Sequence, residues 1–112
     1  MTKAILRRVS DGELEYDALM FWCPGCEHVD EEGGRHGGLH MLAVNSSVTS
    51  PQWDWDGNLE LPTLSPSILS RTDTLVCHSF LKQGVFEFLG DCTHQHANTK
   101  VPIPDLPEWV LE

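Results

Sequence analysis

The feature that most constrains this fold is a group of four cysteines interleaved with histidines. Residues 23–26 read C-P-G-C, the spacing of a metal-binding knuckle in which proline and glycine shape the backbone so that both sulfurs face one ion. Two ligands do not complete the shell of an ion such as zinc, which takes about four nitrogen or sulfur donors. The knuckle therefore needs partners from elsewhere in the chain.

A β-hairpin over residues 75–96 is the predicted source of these partners. Residues 76–82 and 85–91 are rich in β-forming side chains, and Gln83-Gly84 between them supplies a turn in which glycine takes a positive φ. A two-residue turn pairs Lys82 with Val85. Both ends of the segment, which carry cysteine and histidine, then meet at the same end of the hairpin.

The alternation of side chains along this hairpin predicts two faces of different chemistry. In the expected register, Cys77, Cys92 and His94 share one face with the apolar residues, whereas His78 and Asp91 lie on the other. The first face joins sulfur to the core, and the second leaves an imidazole and a carboxylate on the opposite side.

We expect one zinc ion in this protein. Its predicted ligands are Cys23, Cys26, Cys77 and Cys92, with His40, His78 and His94 as alternative ligands. In the competing interpretation, Cys77 and Cys92 are buried free thiols, which are common in protein cores.

A second set of residues is a candidate catalytic site, and its members are His40, His78, Asp91 and His94. Three imidazoles and a carboxylate can hold a hydrolytic metal with a bound water, or act as acid and base near neutral pH. The same side chains can instead complete the first zinc shell and take no part in catalysis.

Composition and length indicate one acidic domain spanning residues 1–112. Seventeen acidic against seven basic side chains give a formal net charge of −10, which disfavours direct binding to nucleic acid or to an anionic membrane. The acidity either serves solubility or forms a face for a partner with a basic surface. The sequence shows no signal peptide or membrane span, so we expect a cytoplasmic protein whose cysteines are not in disulfides.

The remaining segments predict a mostly β fold with little helix, a small zinc-stabilised sheet or sandwich. Seven prolines and nine glycines leave no amphipathic helix of useful length. Residues 39–44 have strand character, and 53–56 are predicted to pair with 59–61. The two prolines in 62–68 predict an edge strand or an extended segment. Residues 98–112 are predicted to form a proline-rich, extended tail that wraps the body, anchored by Val101, Ile103, Leu106 and Trp109.

Five segments of the chain together resemble a known family. They read C-P-G-C, W-D-W-D-G, P-T-L-S-P-S-I, C-H-S-F and F-L-G-D-C-T-H, and they resemble domain-of-unknown-function family 6527, small proteins common in phages and prophages. The resemblance spans about residues 21–107. It implies a metal-binding protein of phage or mobile-element origin, in which His40 takes the place of the histidine that follows the knuckle. Some relatives occur beside ubiquitin-like conjugation components.

These observations favour a zinc-binding, acidic protein-interaction module. Its predicted partner is a host or phage protein with a basic surface, and inhibition of a defence protein is one specific form of this hypothesis. The alternatives are a metal-dependent hydrolase that uses the histidine and aspartate set, and a virion or assembly component.

Overall fold

The computed structural model describes residues 2–111, which form a single small domain built mostly of β-strands. Its ten strands are β1 (Ala4–Asp11), β2 (Leu14–Trp22), β3 (His28–Val29), β4 (Arg35–His36), β5 (Leu39–Val44), β6 (Asp54–Trp55), β7 (Leu64–Arg71), β8 (Val76–Lys82), β9 (Val85–Phe88) and β10 (Lys100–Pro102). Within this range the helical structure is a single 3₁₀ turn, Glu108–Val110. The predicted class, mostly β with little helix, is confirmed. The predicted bounds 1–112 and 98–112 include terminal positions outside the described residues.

Strands β1, β2 and β5 form an antiparallel three-stranded sheet. The turn between β1 and β2 contains Gly12 at φ 63°, a left-handed conformation that glycine adopts without a steric penalty. Strand β2 runs directly into the C-P-G-C segment, and β5 places His40 opposite Phe21. The predicted strand over 39–44 is therefore confirmed, and it brings a histidine close to the knuckle.

The second sheet has five strands in the order β10-β9-β8-β7-β6. Its β8–β9 hairpin pairs Lys82 with Val85, as the sequence predicts. Gln83 and Gly84 both have positive φ, at 48° and 74°, which is the conformation of a type I′ turn and matches the twist of the flanking strands. The predicted register of this hairpin is confirmed up to Phe88.

Strand β7 is irregular and open along much of one edge. Leu64 pairs with Leu81 and Ile68 with Ser79, so four steps along β7 match two steps along β8. On the other side, within residues 2–111, β6 pairs with β7 only at Leu64 and Ser65, and no other strand of this range pairs with that edge. The prediction that residues 59–61 return as the partner of 53–56 is wrong, because β6 pairs with the start of β7 instead.

The two larger sheets share one hydrophobic core, and β3 and β4 form a separate two-stranded sheet. Phe21 of β2 and Phe86 of β9 are both fully buried, and their ring centroids lie 5.9 Å apart. Cys23, Cys77 and Cys92 are buried in the same cluster. The core therefore continues directly into the region where the thiols meet.

The C-terminal segment packs against the body through some of the expected anchors but not through a buried Trp109. Ile103 and Leu106 are buried, as the sequence suggests, but Trp109 is 54% exposed and makes an edge contact with Trp22. Val110, in the same 3₁₀ turn, is buried instead.

Replacing Phe86 by alanine tests the shared core. Because its ring is fully buried, we expect Phe86→Ala to lower the free energy of unfolding by about 3–5 kcal/mol. The matched control Leu14→Ala, at an exposed strand position, should change it by about 0.5 kcal/mol or less. Urea denaturation measures both, and equal losses would contradict the assignment of the core.

Candidate active site and metal centre

Three thiols from distant parts of the chain meet at one end of the core. The Sγ atoms of Cys23, Cys26 and Cys77 all lie within 4.8 Å of one another, and those of Cys23 and Cys77 are 3.7 Å apart. The knuckle follows β2, whereas Cys77 points inward from β8. The structure thus joins the knuckle to the hairpin by three of the four predicted thiol ligands.

Two histidines flank this thiol cluster. His94 places Nε2 3.3 Å from the Sγ of Cys77. A Cβ atom at Gly25 would lie 2.5 Å from the same nitrogen, so the glycine of the knuckle leaves the space that the ring occupies. His40 stacks on Phe21 with ring centroids 5.4 Å apart and lies close enough to Cys26 to lower the pKa of its thiol. Either imidazole can supply a fourth ligand.

The three thiols of the cluster shift one another's pKa values in opposite directions. Hydrogen bonds from Cys23 and then from Cys77 lower the pKa of Cys26, and His40 adds to the effect. The same hydrogen bond to Cys26 raises the pKa of Cys23 to about 12, and the pKa of Cys77 is raised chiefly by its hydrogen bond with Cys23. Three sulfur donors this close together fit a thiophilic metal ion, whose binding would displace the protons that Cys23 and Cys77 hold.

Cys92 lies outside the thiol cluster. Regular continuation of the β8–β9 pairing would place residue 91 opposite Val76. Instead, the N–H of Thr93 donates to the carbonyl of Val76 at 2.9 Å. Two residues are therefore looped out after Leu89. As a result the Sγ of Cys92 lies 3.2 Å from both the N and the O of His78, beside the backbone of β8.

A second constellation occupies the opposite side of β8. The Nδ1–H of His78 donates to Oδ2 of Asp91 at 3.0 Å, and the hydroxyl of Ser67 donates to Nε2 of His78, also at 3.0 Å. Tautomer and proton positions follow from these partners, because a carboxylate only accepts. The three side chains come from β7, β8 and the looped-out segment after β9.

This arrangement has the geometry of a nucleophile, a base and an orienting acid. Nucleophile and base lie within hydrogen-bond reach, and a carboxylate holds the imidazole so that its second nitrogen faces the hydroxyl. The His78 side chain is 25% exposed and that of Asp91 52%. Reagents in solution can therefore reach the site.

The predicted catalytic set divides between the two centres. His78 and Asp91 meet as a hydrogen-bonded pair, whereas His40 and His94 lie beside the thiols. His78, also an alternative zinc ligand in the sequence analysis, has both ring nitrogens engaged by Asp91 and Ser67. Ser67 was missed. Its one sequence signal is its position in P-T-L-S-P-S-I, one of the five segments that carry the family resemblance.

The chain is similar to a known protein family over most of its length. A family model described as "Bacterial ubiquitination-like system serine protease (BubE)" matches residues 2–89. That range contains Ser67, His78 and three of the four cysteines. The match gives no support for domain-of-unknown-function family 6527 or for a phage family, so that resemblance stays a prediction.

No curated protein and no solved structure matches the chain. Among residues 2–111, no helix is long and apolar enough to cross a membrane.

Proposed function

Because the chain belongs to the family of bacterial ubiquitination-like system serine proteases, we propose that it is a serine protease of such a system, with Ser67, His78 and Asp91 as its catalytic triad. The observation that carries this proposal is the pair of 3.0 Å hydrogen bonds that His78 makes through both ring nitrogens. Family and geometry support the same reaction class, and they do so independently.

Each member of the triad has a defined task. Asp91 accepts the hydrogen bond from Nδ1–H and so keeps the Nε2 lone pair directed at Ser67. Nε2 takes the hydroxyl proton as Oγ attacks the carbonyl carbon, and the new C–O bond gives a tetrahedral oxyanion. The imidazolium then passes its proton to the leaving amine nitrogen as the C–N bond breaks. Water, activated by the same base, hydrolyses the acyl-enzyme and restores the free serine.

The triad is favoured over a hydrolytic metal at these residues. A metal ligand needs a free nitrogen lone pair, but one nitrogen of His78 faces a carboxylate and the other a hydroxyl. The interaction-module hypothesis rests on the net charge of −10, on a thiol-rich site of the structural kind and on the family resemblance, and none of these assigns a role to Ser67, His78 and Asp91. We retain acidity as a feature that can orient a basic partner, and we assign the chemistry to the triad.

We also propose that the thiol cluster binds zinc in a structural role, through Cys23, Cys26 and Cys77 with His94 or His40 as the fourth ligand. A site rich in thiolates is usually closed and contributes to folding. Support for this comes from the short Sγ distances and from the space at Gly25 that accommodates His94.

The proposed zinc site would also support the triad. Cys77 directly precedes His78 in β8, and His94 follows Asp91 by three residues in the looped-out segment. Ligands on both segments would hold them together and so maintain the contact between His78 and Asp91.

Substitutions of the triad test the proposed mechanism. We expect Ser67→Ala and His78→Ala each to lower kcat/KM for p-nitrophenyl acetate by about 10³-fold or more, because either change removes nucleophilic attack. Asp91→Asn should cost about 10²–10⁴-fold, since the imidazole then loses its orienting acceptor. Ser65→Ala is the matched control, an exposed serine of the same strand. Unchanged hydrolysis by Ser67→Ala would refute the mechanism.

Metal analysis of cysteine variants tests the proposed zinc site. Purified protein should contain zinc at about one equivalent, and Cys23→Ser and Cys77→Ser should lose it and unfold at lower temperature. Cys92→Ser should keep its zinc, because this thiol contacts the backbone of His78 rather than the cluster. Comparing His94→Ala with His40→Ala identifies the fourth ligand. A wild-type protein that is folded without metal would contradict the assignment.

A further inference from the structure

We infer that the protein binds its substrate as an added β-strand, pairing the substrate's extended main chain with the open edge of β7 beside Ser67. This inference rests on the proposed protease function. It specifies the substrate as an extended peptide segment, held by its backbone, rather than a folded surface.

The main-chain groups of Leu69 point toward the open edge. Leu69 lies opposite His78, whose carbonyl accepts from Leu89 N at 2.9 Å and whose N–H is 3.2 Å from the Sγ of Cys92. Facing residues of an antiparallel pair exchange both hydrogen bonds or neither. The backbone of His78 is occupied on its other side, so the N–H and C=O of Leu69 face away from β8.

Arg71 repeats this arrangement two residues further along. It lies opposite Val76, whose N–H donates to Oγ1 of Thr93 and whose carbonyl accepts from the N–H of Thr93, both at 2.9 Å. The backbone of Arg71 therefore also faces the open edge. Two residues in alternate positions, each presenting an N–H and a C=O, match the repeat of an incoming antiparallel strand.

This edge leads directly to the proposed nucleophile. Ser67 precedes Leu69 by two residues and, like it, directs its side chain to the face that carries His78. The side chain of Leu69 is 51% exposed. Replacing this exposed side chain therefore leaves the main-chain groups of the edge in place.

The edge ends at the nucleophile. The carbonyl of Ser67 accepts a hydrogen bond from the indole N–H of Trp53 at 3.2 Å, and β6 pairs with β7 from Ser65 backward. A strand added along Leu69 and Arg71 therefore cannot continue past Ser67. If the added strand is antiparallel to β7, like the other neighbouring strands of this sheet, it runs from Arg71 toward Ser67. The substrate residues on the acyl side of the scissile bond then pair with the edge, and the leaving group lies beyond Ser67.

Active-site probes of different length test this inference on the intact protein. The first probe is a small alkyl fluorophosphonate. The second is a library of tetrapeptides with random side chains, in which a diphenyl phosphonate replaces the C-terminal carboxyl group, so that the peptide takes the place of the acyl side of the substrate. Each peptide probe has a matched single-residue phosphonate. We expect the tetrapeptides to react with Ser67 at least tenfold faster than the single-residue phosphonate.

Methylation of the probe's amide nitrogens separates strand addition from side-chain contacts. Every second amide of an added strand faces the edge, and the others face away from it. We expect N-methylation of the edge-facing amides to abolish the faster reaction of the tetrapeptide, and N-methylation of the other amides to have little effect on its rate. This test uses the wild-type protein, so it does not depend on a variant that folds.

A variant of the edge gives a second, independent test. Leu69→Pro removes the edge-facing N–H, and the ratio of tetrapeptide to single-residue rates should fall toward one, whereas Leu69→Ala, which keeps the N–H, should retain most of it. Equal rates for both probes in the wild-type protein, or an advantage insensitive to methylation, would overturn strand addition. Absence of any reaction of the small fluorophosphonate with Ser67 would instead refute the proposed function.

Discussion

The alternation of side chains along β8 is the constraint on which both centres depend. Cys77 points into the core toward the other thiols, and His78, the next residue, points out toward Ser67 and Asp91. A one-residue change of register would exchange the two side chains and destroy both arrangements at once. The type I′ turn at Gln83-Gly84 fixes that register, so a turn remote from either centre determines both.

Irregular pairing on both sides of β8 supplies the remaining groups. The register shift in β7 lies between Leu64 and Ile68, the stretch that contains Ser67. After β9, two residues loop out, which brings Asp91 to His78 and carries Cys92 to the backbone of the same histidine. Bulges of this kind re-aim side chains beside active sites. The regular hairpin thus provides the frame, and its irregular neighbours complete the site.

The same division explains what the sequence could predict. Local rules were sufficient for the hairpin turn, the pairing of Lys82 with Val85 and the inward Cys77, because each depends on residues close in the chain. They predict Asp91 on the same face as His78, but the contact between the two depends on the looped-out residues after β9. The meeting of the knuckle with Cys77 followed from ligand number, since two thiols do not fill a metal shell.

Ser67 and Cys92 could not be placed by these rules. Ser67 reaches His78 through the pairing of β7 with β8, an irregular contact whose register no local pattern specifies. Cys92 was predicted to be a ligand because regular pairing was assumed, and the looped-out residues lie where that assumption fails. The predicted pairing of 53–56 with 59–61 is wrong for a related reason. Strand β6 pairs with the start of β7 rather than with the segment that follows its own turn.

The proposed mechanism requires Ser67 to be a nucleophile activated by His78. Peptide mapping by mass spectrometry after treatment with diisopropyl fluorophosphate tests this directly, because the reagent leaves a covalent phosphoryl group on an activated serine as fluoride departs. The proposed mechanism predicts a single adduct, on Ser67, that is absent in folded His78→Ala protein. An adduct on another residue, or none on folded wild-type protein, would contradict it.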